Sequence, residues 1–223
     1  MKHYRSSIPK AARERVTATS VHGPQKYKAE CVFKGKVVGI RFFHETGELS
    51  MEYPMRNGLT HGIAYRSDEP GKLLSAEPYF NGRPHGTAKQ WSDEGKLLGT
   101  YTMKHGTGVD LWWQQFQDGE PHLAEARYLK DGERHGFEWW WLDRKNLWQE
   151  QHFSNGRSHG IERSWNEHGR LCRGYPQYWV SDKRVSKQQY IRASAKDPTL
   201  PPFRVQDNLP KRKFPPEIRA HLG

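Results

Sequence analysis

Between Glu30 and Leu171, apolar residues fall in short runs that alternate with polar ones, and glycine-containing turns bound the runs. Alternation with a period of two marks a strand with one face buried. The pattern recurs. Taking Gly39, Gly62, Gly86, Gly108, Gly136 and Gly160 as origins, the intervals are 23, 24, 22, 28 and 24 residues. A near-fixed period of this size predicts stacked supersecondary units. Four units share a plain motif: Asn57-Gly58-x-x-His61-Gly62, Asn81-Gly82-x-x-His85-Gly86, Asp131-Gly132-x-x-His135-Gly136 and Asn155-Gly156-x-x-His159-Gly160. Asn-Gly and Asp-Gly supply the positive φ that tight hairpin turns require. The expected fold class is all-β: an elongated, single-layer antiparallel meander of about six β-hairpin repeats.

Further columns run through the repeat. An apolar residue stands seven positions before each origin (Val32, Met55, Tyr79, Tyr101, Leu129, Phe153), and a leucine closes each unit (Leu49, Leu73, Leu97, Leu123, Leu147, Leu171). Five positions after the origin come Trp91, Trp113, Trp141 and Trp165, with Ser67 in the second unit and Phe43 one residue early in the first. These tryptophans read as a buried ladder. The histidines His61, His85, His135 and His159 read as structural, each bonding within its own turn. Equivalent histidines two strands apart lie about 9–10 Å from each other, too far to share a zinc that needs nitrogen at about 2 Å. No metal and no cofactor is expected. The fourth unit departs from the pattern: Thr107-Gly108 replaces His-Gly, Lys104 takes the place of the first glycine, and residues 114–120 lengthen its second turn.

The pattern resembles MORN repeats, in the bacterial variant where Tyr-x-x-Gly-x-x-His-Gly and a later Trp-x-x-x-Gly-x-Leu recur. The resemblance covers about residues 29–174, roughly two-thirds of the chain. It implies a binding or scaffolding module, and many bacterial proteins with this variant carry an antitoxin-like label.

Trp112 and Trp140 precede ladder tryptophans and so point to the opposite face, where the matching residues elsewhere are Gln90 and Ser164. An apolar pair on a polar face, beside a turn presenting Phe116, suggests a surface that contacts a protein partner. The competing expectation is that a terminal segment packs over them.

Outside the repeats, 1–28 is a basic segment in which Ser7-Ile8-Pro9 and the following residues could open a short helix. Residues 175–198 read as a last hairpin (Tyr178-Trp179-Val180, Arg184-Val185) and a capping helix that Ser186-Lys187-Gln188-Gln189 opens with a capping box. The stretch 199–223, with its prolines and Lys211-Arg212-Lys213, reads as an extended tail that either wraps the sheet or reaches for a partner.

Composition sharpens this picture. Only 34% of residues are hydrophobic, too few for a thick two-layer core, and nine tryptophans and ten tyrosines compensate with large buried rings. The net charge of +11 belongs to the ends: 1–28 and 175–223 each carry +6, whereas 29–174 carries −1. A neutral sheet does not suit phosphate-backbone gripping, so contact with nucleic acid or an anionic membrane would have to run through the basic termini. Cys31 and Cys172 do not make a disulfide framework, and without an apolar leader or membrane-length run the expected location is cytoplasmic. No nucleophile elbow, Walker loop, CxxC pair or HExxH motif is present. The expected function is non-enzymatic protein binding.

Overall fold

A computed structural model describes residues 3–21, 25–115, 120–211 and 213–222. The chain forms two compact units, Met1–Gly106 and Thr107–Gly223, and each is an open antiparallel meander. The first contains β1 (Arg13–Thr19), β2 (Lys26–Phe33), β3 (Lys36–Phe43), β4 (Leu49–Arg56), β5 (Leu59–Thr60), β6 (Gly62–Arg66), β7 (Ser75–Phe80), β8 (Arg83–Pro84), β9 (Gly86–Trp91) and β10 (Leu97–Lys104). The second contains β11 (Thr107–Gln114), β12 (His122–Lys130), β13 (Glu133–Trp141), β14 (Leu147–Ser154), β15 (Arg157–Ser158), β16 (Gly160–Ser164), β17 (Gln177–Val180) and β18 (Lys183–Val185). Two helices follow, α1 (Lys187–Ser194) and α2 (Pro216–Arg219).

The turns form as their chemistry dictates. Asn57 (φ 52°) and Gly58 (φ 78°), and likewise Asn81 and Gly82, occupy the left-handed region at both central positions, the geometry that matches strand twist in a two-residue hairpin. A seventh turn of this kind, Ser181-Asp182, joins β17 to β18.

Consecutive hairpins are stapled at these turns. Gly82 N–H donates to Thr60 O (2.8 Å), Gly106 to Pro84 O (2.7 Å), Gly156 to Arg134 O (2.9 Å) and Asp182 to Ser158 O (2.8 Å). The repeat histidines add a second bond, but not within their own turns as expected. His85 Nδ1 accepts from His105 N–H (3.1 Å), His159 Nδ1 from Ser181 N–H (3.1 Å) and His61 Nδ1 from Asn81 N–H (3.4 Å). Each imidazole therefore reaches forward to the next turn.

The fourth unit keeps its turn although Lys104 stands where the other units have their first glycine. His105-Gly106 form it, with φ of 50° and 82°, and the residues that elsewhere separate turn from His-Gly are missing. Thr107 Oγ1 accepts from Asp131 N–H at 3.1 Å, taking over the histidine's part.

The N-terminal segment departs from expectation. Residues 13–15 are not helical; they start β1, which pairs antiparallel with β2 from Arg13↔Val32 to Thr19↔Lys26. Val16, Thr17 and Thr19 favour a strand, and pairing covers the edge that β2 would otherwise leave bare. Before it, the chain crosses one face of the sheet. Ile8 is 5% exposed, and a Cβ on Gly39 would lie 2.2 Å from Ile8 Cδ1, so glycine is what permits this approach. Tyr4 packs edge-on against Tyr65, and His3 stacks on Trp91.

The 199–223 stretch is likewise ordered through its described residues. Phe214 packs on Trp139 and Trp141, His221 on Trp113, and Ile218 is fully buried. Burying rings and aliphatic side chains of this size contributes about 1.5–3 kcal/mol each, enough to offset the entropy of ordering a proline-restricted chain. Helix α1 follows the expected capping box, with Ser186 accepting from Gln189 N–H, and packs Tyr190 against Tyr178 of β17.

Candidate partner-binding site

In the second unit the two sheet faces differ because one is already used. The covered face holds the ladder: Trp113, Trp141 and Trp165 are 8%, 5% and 1% exposed, and the Trp165 indole N–H donates to Asn208 O at 2.7 Å. In the first unit Trp91 is buried in the same way. On the covered face of the second unit, Arg163 Nη1 meets Glu150 Oε1 at 2.8 Å with both side chains buried, and the Trp139 indole donates to the same carboxylate at 2.6 Å. Arg163 Nε also donates to Asn208 Oδ1 at 3.2 Å, while its Nη2 is buried without a hydrogen-bond partner among the described residues, and a buried charge persists only where such bonds offset its desolvation.

The opposite face carries Trp112 and Trp140. Register places Trp112 (β11) across from Glu125 (β12), Glu125 across from Trp140 (β13), and Trp140 across from Gln149 (β14). Both tryptophans are half-buried, and two strand spacings put their backbones about 9–10 Å apart. The terminal segment does not cover them; it lies on the ladder face. The Trp112 Nε1 is buried without a hydrogen-bond partner among the described residues. Phe116, expected to join the pair, lies outside the described residues.

Sequence reading missed the carboxylate between the two rings. Glu125 is ion-paired to Arg127 at 3.0 Å, and Arg127 also reaches Asp110 at 3.3 Å. The Glu125 carboxyl is raised from 4.5 to about 7, chiefly by burial, with Arg127 opposing the rise and a hydrogen bond and charge from Glu138 adding to it. Trp179 was also missed as part of this face: its indole donates to Glu162 at 2.9 Å, and Gln149 donates to Glu162 at 3.2 Å. The available signal was parity, since Glu125 and Glu162 fall on the same alternation as Trp112 and Trp140.

Three of the four repeat histidines, His61, His85 and His159, serve the turns rather than this face. His159 is buried, and its Nε2 contacts Thr199 Oγ1 at 3.0 Å. For His135 the structure shows no Nδ1 partner among the described residues. Lys211 and Lys213 are exposed, and Arg212 lies outside the described residues. Among the described residues no group of three His, Cys, Asp or Glu side chains is placed to hold a metal ion, and no helix is long and apolar enough to cross a membrane. No protein-family model matches the chain, and no curated protein matches it.

Proposed function

We propose that this protein is a non-enzymatic protein-binding module built from MORN-like hairpin repeats, and that its second unit engages a partner through the face carrying Trp112 and Trp140. One observation carries the reading: the chain's own C-terminal segment occupies the ladder face, while these two indoles lie half-buried on the other. Large aromatic rings are among the residues that dominate protein interfaces. The resemblance to antitoxin-like repeat proteins supports a role in neutralising or positioning a toxin or effector. Cytoplasmic location belongs to the same proposal.

The test is affinity capture from native lysate with quantitative mass spectrometry, comparing the wild type with Trp112→Gln/Trp140→Ser. A stoichiometric partner should be retained by the first and reduced at least about tenfold by the second, a loss typical of interface hot spots. Equal capture by both would remove this face from the interface. Salt separates the runner-up, an adaptor for nucleic acid or anionic membrane working through basic residues such as Lys211 and Lys213. Binding of that kind weakens steeply as ionic strength rises, whereas an aromatic interface changes little.

A further inference from the structure

Each unit contains one cation facing a buried glutamate across neighbouring strands of its covered face. Arg41 (β3) stands across from Glu52 (β4), with Nε and carboxylate 2.8 Å apart, and Arg163 (β16) stands across from Glu150 (β14) at 2.8 Å. Each carboxylate takes a second bond from an aromatic donor, the Tyr4 hydroxyl to Glu52 at 2.7 Å and the Trp139 indole to Glu150 at 2.6 Å. Glu52 and Glu150 each lie five residues before the asparagine of their turn. Between Asn57 and Asn81 the same position is Ala76, and the residue across from Ala76 on β9 is Lys89. A cation is thus present where the fold elsewhere places one, but its carboxylate is replaced by a methyl group.

Above Ala76 the face opens into a groove of about 610 Å³, within the range of small-molecule sites. The shape follows from the side chains. Strand β7 contributes only Ala76 and Pro78 to the floor, while Ile63 and Tyr65 of β6 and Trp91 of β9 stand higher on either side. The N-terminal segment forms a wall and brings Arg5 to the rim. No acidic residue lines the groove among the described residues, and neither Arg5 nor Lys89 makes an ion pair among them.

We propose that this groove binds a small organic carboxylate with a flat apolar body. Its carboxylate takes the place beside Lys89 that Glu150 takes beside Arg163, with Arg5 as second donor. Its body lies over Ala76 and Pro78 against Trp91. Charge-assisted bonds to the carboxylate combined with apolar contact along the groove floor fix both ends of such a ligand.

The experiment titrates the full chain with 2-naphthoate, using neutral 2-naphthol as the control. Calorimetry gives affinity, and the ¹H–¹⁵N resonance of the Trp91 indole reports location. Naphthoate should bind and shift that resonance, with affinity at least about tenfold above naphthol's. Lys89→Gln should weaken naphthoate by a similar factor. Ala76→Glu, which supplies the carboxylate from within, should abolish binding. Should Ala76→Glu fail to fold, Lys89→Gln still decides. Absence of naphthoate binding, equal affinity for naphthol, an unmoved Trp91 resonance, or unchanged affinity in Lys89→Gln would each overturn the proposal. The groove lies within the first unit, so none of these outcomes bears on the Trp112 and Trp140 face.

Discussion

At the scale of single residues, the acid between two tryptophans is the most consequential placement. The folded chain holds the Glu125 proton more tightly than the unfolded chain does. Its contribution to stability is therefore complete below about pH 4.5 and lost as pH rises to about 7. Glu125→Gln keeps the shape and the neutral hydrogen-bonding form. Urea unfolding from pH 4.5 to 8 should show the wild type losing about 2 kcal/mol more than Glu125→Gln across that window; parallel curves would mean that the carboxyl titrates normally. The histidines teach a related lesson. Their recurrence beside each turn was legible, but their partner was not, because a forward bond to the next turn depends on how adjacent hairpins abut. Thr107 shows that the role is an acceptor and not an imidazole: a hydroxyl in a shortened unit meets the same kind of N–H.

At the scale of elements, the strands and turns were readable because their signals are local. Asn-Gly turns, alternation and the capping box at Ser186 each act over a handful of residues, and all three appear as expected. The packing of the terminal segments was not readable because what orders them is distant in sequence. Tyr4 and Ile8, or Phe214 and Ile218, are isolated apolar residues among prolines and charges; only the ladder face gives them somewhere to go. Gly39 makes this testable. Gly39→Ala brings a methyl group into Ile8 and should cost about 1–3 kcal/mol by overpacking, with faster amide exchange in residues 3–8. Combined with Ile8→Ala, the total loss should fall short of the sum of the single changes, since the clash disappears with the larger side chain. Strict additivity would show that the segment does not rest on Gly39.

At the scale of the whole molecule, both units follow one plan: a meander, an arginine paired to a buried glutamate, and a terminal segment laid over the ladder face. The charge distribution pointed outward, to tails reaching for acidic partners, but net charge does not report where interspersed apolar residues lie. The staples carry a consequence for how such a ribbon can change. They join hairpin to hairpin at the turns containing Asn81, His105, Asn155 and Ser181, whereas the opposite turns close on themselves, as in His44 N–H to Glu48 O, Ser92 N–H to Lys96 O and Asn166 N–H to Arg170 O. Within each unit one margin is hemmed by these backbone bonds and the other is looser. Inserting Gly-Ser-Gly after Glu94 should cost less than about 1 kcal/mol in thermal unfolding, while the same insertion after Gly82 breaks the bonds to Thr60 and His61 and should cost several times more. Equal tolerance would mean that the hem holds nothing. The looser margin is where new sequence can be grafted at the least cost to a neighbouring hairpin.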